Sequence, residues 1–214
     1  MKLTQAQIQF IDTYLQNSEI EFIDVRMEMI DHIASDIEHK METEHTEFYY
    51  AFKNYMVLHK KEHQKANKRY KKATDVKTLQ QLGYLFIKPS NLFILIGTFC
   101  FVKILSNYYD IGLFVRFAPI TVLFLVCIYY FIISYTKGKK VRYSSLERLG
   151  LFLITLFQIV QISYNPFTQS ITSNSSINLM TGFFAIIATT ALIFLQLILK
   201  YNKEYTSLYK NTIV

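Results

Sequence analysis

Glu28, His32, Ser35 and His39 recur at helical spacing and share one face of an N-terminal segment. His32 stands four residues from both Glu28 and Asp36, the spacing at which one helix face offers two ligands to a divalent cation. Binding a cation, or taking up a proton near neutral pH, is the chemistry such a face can do. It lacks the further signs of a built metal site: there is no His-Glu-x-x-His run and no cysteine cluster. No metal or cofactor is therefore expected, and a solvated polar face accounts for the same residues. His59 and His63 are also four apart, but lysines surround them, and nearby positive charge disfavours a bound cation. No Gly-rich phosphate loop, nucleophile elbow or pair of intramembrane carboxylates occurs. Within the apolar half of the chain the acids are Asp110 and Glu147, both at its edges. A membrane hydrolase or proton-driven pump needs acids or a nucleophile–base pair inside the span, so the chain is not expected to be an enzyme.

A second constellation lies in apolar surroundings. Lys103, Arg116, Gln158, Gln161 and Thr181 each fall a short way inside the outer end of an apolar run. Four helices would thus contribute polar groups to one layer of the outer leaflet, with Asp110 just above it. Two readings stand: Lys103 and Arg116 reach outer headgroups or pair with Asp110, or the layer is a pocket for an anionic lipid or ligand.

The elements that must position these residues follow from segregation of composition. Apolar residues make up 51% of the chain and charged residues 18%. Residues 1–57 carry eleven acids and four bases, residues 58–77 eight bases and two acids, and residues 78–214 eleven bases and three acids. An acidic domain, a basic stem and basic-flanked apolar segments follow one another. The first twenty residues are polar and amphipathic, unlike a cleavable leader with its apolar centre. Apolar runs over about 90–109, 111–135, 146–164 and 177–199 each approach the ~20 residues that cross ~30 Å of hydrocarbon as a helix. Lys137, Lys139, Lys140, Arg142 and Arg148 join the second run to the third, and Lys200, Lys203 and Lys210 fill the tail 200–214. The links around Asn107–Asp110 and Pro166–Ser176 carry no Lys or Arg. The positive-inside rule then predicts a multi-pass membrane protein with both termini in the cytoplasm. Cys100 and Cys127 lie in separate apolar runs, where a disulfide is not expected.

Residues 3–57 read as three helices. Thr4 with Gln7 and Ser18 with Glu21 form capping-box patterns, and Thr46 is placed to cap the third helix. In the second helix Ile20, Ile23, Met27, Ile30, Ala34, Ile37 and Met41 repeat at spacings of three and four. A second stripe, Phe22, Val25, Met29 and Ile33, widens the apolar face, so this helix should form the centre of a small bundle. Arg26 falls between the stripes. It must meet a carboxylate from another helix, with Asp12 and Glu47 as candidates, or project to hold a partner. No Gly or Pro interrupts residues 46–82, which predicts one long helix running through the stem 58–89, with Gly83 and Pro89 marking the passage to the first span. The stem concentrates Lys60, Lys61, Lys65, Lys68, Arg69, Lys71 and Lys72. Just before a span such a segment suits anionic lipid, with docking of the acidic domain as a second reading. It has no nucleic-acid reader motif.

The stretch DVRMEMIDHIASDIEHKM, residues 24–41, preceded by LTQAQIQFIDTYL, resembles the HAAS-type signalling domain of bacterial membrane proteins. The resemblance is carried by Arg26, Glu28, Asp31 and His32, an upstream helix and downstream transmembrane helices, and it spans roughly residues 3–45. It implies a membrane-linked regulator whose protein partner is a PadR-type transcription regulator or a transport system. The expected fold is all-α: a cytoplasmic three-helix domain, a basic helical stem and a four-helix transmembrane bundle. The expected function is regulatory or accessory, with signalling through the cytoplasmic domain. The alternative is a small transporter or channel subunit using the Lys103/Arg116 layer.

Overall fold

The computed structural model describes residues 2–136, 142–169 and 174–213, without the side chains at 60, 61, 63, 64, 66, 163–169, 174–176 and 208–213. Among the described residues the chain is all-helical. Its seven α-helices are α1 (Gln5–Asn17), α2 (Ile23–Glu44), α3 (Phe48–Ile87), α4 (Pro89–Leu105), α5 (Gly112–Thr136), α6 (Ser144–Gln169) and α7 (Asn174–Ile213). They form two compact units, Met1–Val76 with Lys139–Ser144, and Lys77–Gly138 with Ser145–Val214.

In the first unit, Thr4 and Gln7 exchange both hydrogen bonds of a capping box at the start of α1. The expected second box does not form. Ser18 ends α1, Glu19 turns the chain at φ 66°, and α2 begins later, at Ile23, with no side-chain cap. A helix start leaves several N–H groups without acceptors. Here the Ile23 N–H is satisfied by the carbonyl of Arg142, 3.0 Å away, in an isolated bridge between Phe22 and Arg142. Thr46 does not cap α3 either; its hydroxyl is buried without a hydrogen-bond partner. His45, at φ 50°, turns the chain between α2 and α3.

Both stripes of α2 are used. Val25, Met29 and Ile33 of one, and Ile30 and Ile37 of the other, join Ile11 and Leu15 of α1 and Ala51, Phe52, Tyr55 and Met56 of α3 in one core. Ile11, Leu15, Ile33 and Ile37 are fully buried, each worth about 1.5–3 kcal/mol over exposure. Tyr70 packs against the same core, so the unit continues well past residue 57 and takes in much of the basic stem.

The predicted long helix is α3, 40 residues in length; it runs through Gly83 and stops before Pro89. Proline removes the N–H that would reach the carbonyl of Leu85. The buried side chain of Asn91 donates to that carbonyl instead, at 2.7 Å. The helix axis bends by 58° here.

Three helices are long and apolar enough to cross a membrane, over Gly112–Thr136, Ser144–Ile162 and Ile177–Ser207, or four if the bent pair Asn67–Ile87 and Pro89–Leu105 is one span. The first run is shorter than its expected bounds of 90–109. α4 ends at Leu105, where the Ser106 hydroxyl bonds the Lys103 carbonyl and the chain turns through Asn107–Tyr109. α7 does not stop at 199 but continues through the tail to Ile213. In the second unit α7 packs on both α4 and α5. α6 meets α5 where Gly150 lies against the Tyr130 ring; a Cβ there would overlap the ring, so only glycine permits this approach. Cys100 is exposed, Cys127 buried, and both are free.

Candidate functional site

α2 carries almost every polar contact that organises the first unit, and its N-terminal turn does so most densely. Arg26 is 4% exposed. Its Nε donates to Asp12 at 2.6 Å, and its Nη1 donates to the carbonyls of Ile20 and Glu21 at 3.1 and 2.9 Å. Of the two acids open to it in the sequence, the structure selects Asp12. The guanidinium thereby ties α1 to the turn before α2, and its fork of donors suits three separate acceptors.

Two residues before Arg26, α2 holds the end of the link between α5 and α6. The Asp24 carboxylate accepts from the backbone N–H of Ser144 at 3.2 Å and from its hydroxyl. Ser144 is the first residue of α6, so Asp24 serves as its N-terminal cap from 120 residues away. Glu21 pairs with Arg142, whose guanidinium also stands over the Phe22 ring at 5.1 Å. Lys71 of α3 stands 5.4 Å from the same ring, and the Thr74 hydroxyl lies 3.4 Å from that of Ser144. Tyr143 and Ser144 are buried. The residues 21–24 and 142–144 thus form a clamp inside the first unit. Nothing in the local pattern of either segment points to the other. Asp24 sits on the polar face of α2, where solvation explains it, and only a start signal for α6, Ser144 with Glu147, was available at the far side.

Farther along, Met29, His32, Asp36, Tyr55, His59 and Tyr70 line a groove of about 320 Å³ with Glu62. Tyr55 donates to Asp36 at 2.9 Å, and its ring lies 4.6 Å from that of His59, whose Nδ1 is 3.0 Å from Glu62. Burial, then the bond to Asp36, pushes the Tyr55 phenol well above its usual range. Burial, then the charge of Glu28, raises that of Tyr70. Glu28, Asp31 and His32 are exposed, so three of the four motif residues face outward while Arg26 faces in. Among the described residues no three His, Cys, Asp or Glu are grouped to hold a metal ion.

The remaining candidates are dispersed. Of the stem residues, Lys65, Lys68, Arg69 and Lys72 are exposed and Lys71 half-buried, while the side chains of Lys60, Lys61 and His63 lie outside the described residues. In the second unit Lys103 donates to Asn178 of α7 at 2.5 Å. Thr181 is buried and bonds the Ile177 carbonyl of its own helix. Arg116 is exposed beside the Phe117 ring, and Gln158 and Gln161 are exposed on α6. Within this layer, the Lys103–Asn178 contact is the one cross-helix bond among the described residues. No family model matches this sequence, and no curated protein or solved structure matches it either.

Proposed function

We propose that the chain is a non-enzymatic regulatory or accessory protein of a bacterial inner membrane. It crosses four times with both termini inside; its cytoplasmic helical domain binds a protein partner, and its basic stem meets anionic lipid. The observation that carries this reading is the clamp. α2 begins on a backbone bond to Arg142 and caps Ser144 with Asp24. A domain built this way holds residues 142–144, the stretch that leads directly into an apolar helix. The resemblance to HAAS-type domains supports the same reading, with a transcription regulator or transport system as partner. Glu28, Asp31 and His32 supply an exposed polar edge on which a partner can dock. The transporter reading has less support, because Arg116, Gln158 and Gln161 are exposed.

Affinity purification of the tagged full chain from native membranes, followed by mass spectrometry, tests the proposal. A partner should co-purify with the wild type and with Lys103→Gln, and be lost from Glu28→Ala/Asp31→Ala/His32→Ala. Recovery of the chain alone, or a complex lost only with Lys103→Gln, would overturn it. Tags at Met1 and Val214 should be protected in sealed spheroplasts and one near Ser173 accessible; an accessible C-terminal tag would remove at least one crossing.

A further inference from the structure

Between the α1–α2 turn and α3, the first unit has a cavity of about 580 Å³ lined by Ser18, Glu19, Lys65, Asn67, Lys68 and Lys71. Residues 65, 68 and 71 recur every three positions and so line one side of α3 over successive turns. Three ammonium groups face one carboxylate, and the cavity's field is positive. The nearby acid Glu21 does not neutralise it, because Glu21 is paired with Arg142. Lys71 is held at one wall by the Phe22 ring.

Asn67, on the cavity wall, also has an unmatched acceptor. The Asn67 Oδ1 is buried and accepts no hydrogen bond. Leaving such an acceptor unmatched is unfavourable. With nothing bonded to that oxygen, the carboxamide can turn and offer a ligand either its N–H donors or its acceptor. Ser18 adds a hydroxyl that does both. Ammonium, amide and hydroxyl donors converging on a concave site are the set that a phosphate recognises.

We propose that this cavity binds the phosphate group of an anionic ester. The same chemistry is presented by a phospholipid headgroup and by a soluble sugar or polyol phosphate. The proposal rests on the reading of the stem as lipid-binding only for its lipid source. It differs from that reading in placing recognition at one cavity rather than along the whole basic segment.

The test uses the full chain in an uncharged detergent, with native mass spectrometry reading the binding of dioctanoyl phosphatidylglycerol, dioctanoyl phosphatidylcholine and glycerol 3-phosphate. Phosphatidylglycerol should bind in preference to phosphatidylcholine. Lys68→Gln/Lys71→Gln should weaken it about tenfold, while the charge-matched Lys2→Gln/Lys53→Gln, outside the basic stem, should change it less than about twofold. Asn67→Asp should weaken it and Asn54→Asp, an equal change of charge outside the cavity, should not. Comparable binding of glycerol 3-phosphate supports the cavity with a soluble ester as its source, and its absence supports the headgroup. Equal losses in both charge-matched pairs would overturn the cavity and leave diffuse attraction to the chain's net positive charge. No preference for phosphatidylglycerol and no binding of glycerol 3-phosphate would overturn both.

Discussion

The two units join helices by different chemistry. In the first, side chains bond across elements: Arg26 to Asp12 and two carbonyls, Asp24 to Ser144, Glu38 to the Leu3 N–H and Tyr55 to Asp36. In the second, most described side-chain bonds stay within one helix. Thr98, Thr181, Thr189 and Thr190 each return a hydroxyl to a carbonyl one turn back. Its contacts between helices rest on apolar and small residues such as Ala185, Ala191 and Gly150. The difference follows from the surroundings each sequence suits. Where water competes, a polar group gains from a partner that fixes geometry. In hydrocarbon a hydroxyl must be satisfied before helices meet, and close packing then joins them. Exceptions include Lys103 with Asn178 and Tyr201 with Gln81, which join α7 to other helices, and Asn91 of α4, which bonds the Leu85 carbonyl of α3.

Removing the buried charge of Arg26 should give the largest effect. Arg26→Ala leaves Asp12 and two carbonyls without their donor and should destabilise the first unit by about 3–5 kcal/mol. Asp12 retains water on its exposed side, which places the expected value toward the lower end. Urea unfolding of the full chain in detergent, followed by hydrogen exchange at residues 5–44, measures this. Arg26→Lys should recover little, because an ammonium cannot span the same three acceptors. Protection unchanged in both variants would show that apolar packing alone holds this unit, erasing the contrast.

The corresponding change in the second unit is steric. Gly150→Ala drives a methyl into the Tyr130 ring and should cost about 1–3 kcal/mol. Thermal unfolding in detergent should show the loss, and Tyr130→Val should restore part of it. A loss unchanged by Tyr130→Val would mean the two helices do not depend on this approach.

A smaller effect is expected at the clamp. Asp24→Ala removes the acceptor for two Ser144 donors and should cost about 1 kcal/mol, the value of a helix cap. Exchange should quicken at residues 144–147 and remain unchanged at Ala185–Ile198. Quickening across α7 as well would show that the second unit depends on a polar bond outside it.

The smallest effect is one of pH. Because the folded state raises the Tyr55 pKa, the folded chain holds this proton at pH values where the unfolded chain releases it. The associated stability is present below about pH 10 and declines as pH rises beyond it. Tyr55→Phe should flatten that alkaline decline. An identical slope in wild type and variant would remove the Tyr55–Asp36 bond from the list of cross-element locks.

Helix content, the apolar runs and the central place of α2 were legible in the sequence because each rests on periodicity. A stripe repeating every three and four residues requires a helix and a buried face, whatever covers it. The Thr4 box was legible because its partners are three residues apart. Arg26 was legible as a residue needing an acid, since apolar neighbours surround it on its own helix. Which acid met it was decided by how α1 docks on α2. The start of α2 shows the same limit. Ser18 and Glu21 have the spacing of a cap, yet the Arg142 carbonyl makes the closing contact, and α2 begins at Ile23 instead. Serine, aspartate and glutamate satisfy a helix end equally well from nearby or from a distant segment, so local spacing cannot rank these outcomes. The choice between the two readings of the polar layer was out of reach for the same reason. The sequence set the depth of Lys103, Arg116 and Gln158 along their helices; rotation about each helix axis, which only tertiary packing decides, turned Lys103 to Asn178 and the other two outward.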